Sequence, residues 1–193
     1  MNQYLYLILV WLAYGFIHSL LASAFVKQLL STPYYRLAYN TIAILFFVVL
    51  ILFQFQLPQD QLWTSNLFSQ ISGIVFVLIG IWTLYKAFSN YDLSEFSGFD
   101  ALQKSKNIIS KFRTNGILQI IRHPIYTGII LVVSGLFVYD TLLRSLITAF
   151  CVTFYIRIGI YFEEKKLVIE FGESYLKYRQ KVPMLFPKFN HEL

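Results

Sequence analysis

Five stretches of this chain, residues 4–26, 37–57, 67–88, 124–139 and 142–162, are apolar with few or no charges, and all but the fourth, which is short for a full span, run for about a membrane's thickness. A hydrocarbon core of about 30 Å takes about 20 helical residues to cross, each advancing ~1.5 Å. Within lipid every backbone N–H and C=O must be paired inside its own segment, which leaves helices as the element such runs can form. The sequence therefore reads as an all-α polytopic membrane bundle of about five transmembrane helices. Composition agrees: 57% of residues are hydrophobic and 13% charged, against about 45–50% and about 25% in soluble domains. That excludes a soluble enzyme, a disordered chain and a secreted disulfide scaffold. Cys151 is the single cysteine, and no Cys/His cluster has the spacing of a zinc site, so no structural metal is expected.

The first run could be mistaken for a signal peptide, since Ala22-Ser23-Ala24 resembles a cleavage site. No Lys or Arg precedes it and it is longer than a signal's apolar core, so a retained helix is expected. Pro58 stops the second run, and Gly73 and Gly80 lie on one face of the third, suited to close helix packing. Only Asp140 and Thr141 separate the last two runs, which predicts a helical hairpin. Fourteen of the sixteen Lys and Arg fall in residues 27–36, 86–122 and 165–188, the exceptions being Arg144 and Arg157. The positive-inside rule then puts the N-terminus outside and the C-terminus in the cytoplasm, with the 89–121 loop on the cytoplasmic side. The same rule accounts for the net charge of +6 without a nucleic-acid partner.

Polar groups collect at that cytoplasmic face. In Arg122-His123-Pro124-Ile125-Tyr126-Thr127-Gly128 the proline suits the first helical position, and His123 is pushed out of the helical region before it. This places His123 at a helix entrance, where free N–H groups and the positive dipole end suit a carboxylate or phosphate, and Gly128 leaves room for a ligand or another helix. Glu163 and Glu164 sit where the fifth span meets a C-terminal amphipathic helix, 163–180, whose apolar stripe is Leu167, Phe171, Tyr175 and Tyr178. Arg157 lies seven residues before Glu164, on the same side of a continuous helix. An arginine within a span points to function, or snorkels to the nearby interface.

These segments together resemble the isoprenylcysteine carboxyl methyltransferase superfamily of membrane enzymes. The hallmark Arg-His-Pro-x-Tyr-x-Gly stands at Arg122 to Gly128, Glu-Glu-x-x-Leu at Glu163 to Leu167, and Phe171-Gly172-Glu173 and Val182-Pro183 to Pro187 follow. Phe16-Ile17-His18-Ser19, Tyr35-Arg36-Leu37-Ala38-Tyr39-Asn40 and Asn90-Tyr91-Asp92-Leu93 are similar to the NnrU-like and methanethiol S-methyltransferase branch. The resemblance implies a bacterial inner-membrane methyltransferase using S-adenosylmethionine, bound at the cytoplasmic end. Arg122, His123, Pro124, Tyr126, Gly128, Glu163, Glu164, Tyr175 and Tyr178 are the candidate cofactor-binding residues. His123, Asp92 and Arg157 are the catalytic candidates, with His18 a further one if the first helix lines the pocket. A small lipophilic, thiol or isoprenoid-like acceptor is expected from the bilayer. The rivals are a phospholipid or lipid-amine methyltransferase, and a non-catalytic NnrU-like binding or transport protein.

Overall fold

The computed structural model describes residues 2–30, 32, 34–89 and 112–187. Within them the chain forms α1 (Asn2–Ala22), α2 (Ala24–Leu29), α3 (Tyr35–Phe55), α4 (Leu67–Phe88), α5 (Pro124–Asp140), α6 (Leu143–Phe171) and α7 (Glu173–Lys181). α1, α3, α4 and α6 are long and apolar enough to cross a membrane. α5, at 17 residues, reaches about 26 Å and lies along α4. The protein is a multi-pass helical membrane bundle. Its outer surface bears residues such as Phe16, Phe68 and Phe150 at 69%, 80% and 69% exposure, a surface that only lipid can cover at low cost.

Two boundaries differ from the sequence expectation. The first span breaks at Ser23, whose hydroxyl accepts the N–H of Val26 and so caps a second short helix. The fifth span does not end at Phe162. α6 continues to Phe171 and breaks at Gly172, which takes φ +55 and so suits glycine. The expected separate helix 163–180 is thus the last two turns of α6 followed by the short α7.

α4 and α5 pack almost backbone to backbone. A Cβ on Gly73 would stand 2.6 Å from the carbonyl oxygen of Gly135, and one on Gly80 would stand 2.8 Å from that of Gly128. Glycine at all four positions removes the side chains that would hold the axes apart, letting dispersion act between main chains. α1, α3, α5 and α6 converge on Leu7, Trp11, Leu50, Ile130, Val152, Ile156 and Ile160. A polar thread ties three of them: Trp11 Nε1 donates to Thr148 Oγ1 at 3.2 Å, and Thr148 donates to Gln54 Oε1 at 2.6 Å.

At the end of the bundle away from His123, Asp140 turns the α5–α6 hairpin by accepting the Leu142 N–H at 3.0 Å and the Ser145 hydroxyl at 2.6 Å. Arg144, the basic residue that the charge bias left on the outer side, is buried there. Its Nη1 reaches the carbonyls of Gln54, Phe55 and Leu57 at 3.3, 3.4 and 3.0 Å. These carbonyls lie at and just beyond the C-terminal end of α3, where the guanidinium suits the negative dipole end. Arg144→Met should therefore cost about 2 kcal/mol, read as a lower unfolding midpoint in detergent, with Arg144→Lys recovering part of it. An unchanged midpoint for the methionine variant would remove this role.

Candidate active site

The entrance of α5 is built as the sequence reading expects. Pro124 occupies its first turn and His123 precedes it in a non-helical conformation, φ −121 and ψ 64. The neighbouring backbone is not left open, however. Arg122 N–H donates to Pro183 O at 2.9 Å and His123 N–H to Met184 O at 3.1 Å, and Thr127 Oγ1 donates to Leu185 O at 2.6 Å. Residues 183–185 are strapped across the entrance, and Pro124 is fully buried. The N–H groups of Arg122 and His123, just before the expected anion site, are thus taken by the carbonyls of Pro183 and Met184.

The two adjacent glutamates have separate surroundings. Glu164 is buried, and its Oε1 accepts from Arg122 Nε at 2.9 Å and Nη2 at 2.6 Å, with His123 Nε2 at 3.2 Å. The same guanidinium donates to the carbonyls of Arg179 and Val182, so one arginine joins the α5 entrance, α6 and α7. Glu163 lies 100° further round the helix, its side chain 42% exposed. It accepts the Tyr126 hydroxyl at 2.8 Å and stands 3.9 Å from His123 Nδ1. His123 thus lies between both carboxylates and stacks on the Tyr126 ring at 5.6 Å. Glu164 is the structural half of the pair, and Glu163 is the half with surface to offer.

The other candidates divide similarly. Gly128 packs against Gly80 and Leu84, so the room it provides is taken by a helix and not a ligand. Tyr175 is fully buried beside Phe112 and Tyr178, and Tyr178 donates to Leu118 O at 2.6 Å. Burial, followed by the Glu164 charge, pushes the Tyr175 phenol well above its ordinary pKa, so it stays protonated. Both tyrosines hold α7 in place, Tyr175 with no exposed face and Tyr178 half-buried. Asp92 lies outside the described residues, as does most of the 89–121 loop.

Arg157 does share a face with Glu164, as its spacing requires. Both line a cleft of about 530 Å³ between α6, α7 and Met184, together with Lys165 and Arg179. Arg157 Nη1 rests 2.7 Å from Met184 Sδ, and Lys165 lies 4.4 Å over the Tyr161 ring. Three cations therefore surround one carboxylate that is already paired, making this cleft electropositive. Arg179 and Met184 were not among the candidate site residues, Met184 entering only within the Val182 to Pro187 motif.

Comparison with known proteins decides the kinship. The phospholipid methyltransferase family matches residues 68–174, more than half of the chain. The chain belongs to the phospholipid methyltransferase family. The family's segment runs from α4 through the Arg122–Glu164 lock to α7. The chain is also 39% identical over 88 residues to the methanethiol S-methyltransferase of Pseudomonas deceptionensis, covering 46% of this chain and 33% of that one. It is 29% identical over 166 residues to methanethiol S-methyltransferase 1 of Bradyrhizobium diazoefficiens, covering 83% and 57%. The chain thus spans about a third to just over half the length of these relatives. No solved structure matches it significantly. The resemblance to the methanethiol branch of the membrane methyltransferases is upheld.

Proposed function

We propose that this protein transfers a methyl group from S-adenosylmethionine to a small thiol at the cytoplasmic end of the bundle. The observation that carries this is the division between the two glutamates. Glu164 is spent on Arg122 and His123, while Glu163, with Tyr126 bonded to it, keeps an exposed anionic edge beside an aromatic ring. S-adenosylmethionine carries an ammonium and a sulfonium against one carboxylate and is a net cation, so it suits a carboxylate flanked by a ring face. The electropositive cleft at Arg157, Lys165 and Arg179 does not suit it. When bound, this donor supplies an electrophilic sulfonium methyl. The chain's own residues position and desolvate: Glu163 and Tyr126 hold the cation, His123 keeps both carboxylates in register, and the apolar surroundings favour a transition state in which opposite charges cancel.

The names of the methanethiol S-methyltransferase relatives support a thiol acceptor. A second reading, methylation of a phospholipid headgroup, draws on the family's name and on the basic cleft, which suits a phosphate at the membrane boundary. The basic-residue bias supports a cytoplasmic C-terminus and an inner-membrane location.

Calorimetric titration of the detergent-purified protein with S-adenosylhomocysteine tests the reading. Saturable binding is expected, with Glu163→Gln weakening it about ten- to hundredfold at an unchanged unfolding midpoint, and Arg157→Leu leaving it within about twofold. A wild-type protein that is folded but does not bind would discard the activity. Loss of binding in Arg157→Leu but not in Glu163→Gln would move the donor to the basic cleft.

A further inference from the structure

The proposed donor chemistry makes no use of the cleft beside Arg157, whose walls have two characters. Arg157, Lys165 and Arg179 bring cations to it, while Tyr161, Val168 and Leu176 line it with apolar surface. The one carboxylate lining it is Glu164, whose Oε1 already takes Arg122 at 2.6 Å and whose Oε2 stands 4.0 Å from Arg179 Nη1. Among the described residues Arg157 and Lys165 make no ion pair with a carboxylate. Arg157 Nη1 rests on Met184 Sδ, a weak acceptor, and Lys165 lies over the Tyr161 ring. The cleft therefore holds more positive charge than its own residues neutralise.

Position in the bundle decides what can supply the missing anion. Arg157 lies seven residues before Glu164, about 10 Å back along a helix long and apolar enough to cross a membrane. A guanidinium at that depth pairs with an anion or reaches for the interface. The surface leading to it is apolar: Phe150, Phe154 and Tyr161 are all exposed, and Phe150 and Phe154 stack at 6.3 Å. Their spacing keeps these three and Lys165 within about 60° of arc on α6. A stripe that faces lipid thus runs along the helix and ends in a basic cleft, which matches the two parts of an amphiphile on one face.

We propose that this cleft binds the phosphate of an anionic phospholipid as a resident, non-reacting ligand, with an acyl chain along the Phe150–Phe154–Tyr161 stripe. Two guanidiniums and an ammonium supply the forked and point-charge donors that a phosphate takes, in a basic pocket of the kind that holds lipid headgroups at a membrane boundary. A free phosphate would meet the cations and leave the apolar stripe unused. A zwitterionic lipid would bring its own ammonium into a ring of cations, so a headgroup with net negative charge is selected. The lipid does not compete with the donor proposed above, because Glu163 lies some 120° round α6 from Arg157 and 160° from Lys165. Lys165 belongs to α6, Arg179 to α7 and Met184 to the strap over His123. One bound phosphate therefore ties the C-terminal segment to α6 from the lipid side, as Arg122 does from within.

The test is titration of the detergent-purified full-length protein with phosphatidylglycerol, read by native mass spectrometry and by the unfolding midpoint. One tightly held lipid per chain and a raised midpoint are expected. Phosphatidylethanolamine, glycerol phosphate and inorganic phosphate should each bind about tenfold more weakly or worse. Arg157→Gln and Arg179→Gln should each lower phosphatidylglycerol affinity about five- to tenfold. The triple change with Lys165→Gln should abolish the lipid-dependent rise in midpoint, which is read against the same variant without lipid, so a lower starting stability does not obscure it. Lys166→Gln, beside Lys165 in sequence but outside the cleft, should stay within about twofold of wild type. An equal loss in Lys166→Gln would reduce the effect to general surface charge and overturn the site. Inorganic phosphate raising the midpoint as far as the lipid would replace the lipid with a soluble anion. Equal binding of phosphatidylethanolamine, or displacement of phosphatidylglycerol by S-adenosylhomocysteine, would turn the cleft over to a substrate headgroup or to the donor and overturn a resident lipid. Failure of S-adenosylhomocysteine to bind at all would discard the methyl transfer and leave this lipid site standing.

Discussion

Glu164→Ala is expected to destabilise the protein by about 3–5 kcal/mol, because it strands a buried guanidinium and a buried imidazole without their shared anion. Arg122 is 7% and Glu164 11% exposed at the side chain, so water cannot take the missing partner's place. The damage would spread, since Arg122 also holds the carbonyls of Arg179 and Val182 and thereby α7 and the strap over His123. Thermal unfolding in detergent should show a large drop in midpoint, and limited proteolysis should cut near residues 179–185 before the spans are touched. Arg122→Met with Glu164→Leu, which removes both charges together, should recover much of the stability while activity stays lost. A midpoint for Glu164→Ala within about 1 kcal/mol of wild type would show that the pair is not what fixes the C-terminal segment. The adjacent Glu163→Gln makes the contrast, with stability kept and donor binding weakened.

The second large effect is expected at the glycine seam. A Cβ at Gly73 would lie 2.6 Å from both Gly135 O and Tyr139 N, two backbone atoms that cannot rotate away. Gly73→Val should push α4 and α5 apart and cost about 3 kcal/mol, again read from the unfolding midpoint. Because α5 carries His123 and Tyr126 at its start, the same variant should weaken S-adenosylhomocysteine binding without touching the site. Gly159→Val provides the control, the same change on a helix face where a Cβ meets no atom within 4 Å. Equal midpoints for the two would mean that the close approach of α4 and α5 contributes nothing to stability.

Much of the architecture was legible in the residues, because lipid imposes a length and a hydrogen-bonding rule that few sequences satisfy by accident. The five apolar runs, the hairpin at Asp140-Thr141 and the close-packing face of Gly73 and Gly80 all follow from local pattern. So does the gathering of His123, Glu163 and Glu164 at one end of the bundle. What local pattern could not assign was which member of each polar set is free. Glu163 and Glu164 are identical in type and adjacent in sequence. Arg122, forty-two residues from Glu164, decides between them by neutralising one. Tyr175 and Tyr178 read as aromatic faces for a ligand, yet the break at Gly172 swings them onto Phe112. Gly128 belongs to a motif, but its partner is Gly80 on another helix.

The sequence by itself therefore determined the solvent of this protein, the number and approximate ends of its apolar helices, and the end at which polar chemistry collects. These depend on hydropathy and charge summed along the chain, and neither needs to know what lies across the bundle. Only the tertiary structure decided that Glu164 is locked and Glu163 available, that Arg144 closes the end of α3, and that Gly159 faces open space while Gly73, Gly80, Gly128 and Gly135 do not. Pairing, burial and steric room are properties of two segments at once, set by contacts between residues tens of positions apart.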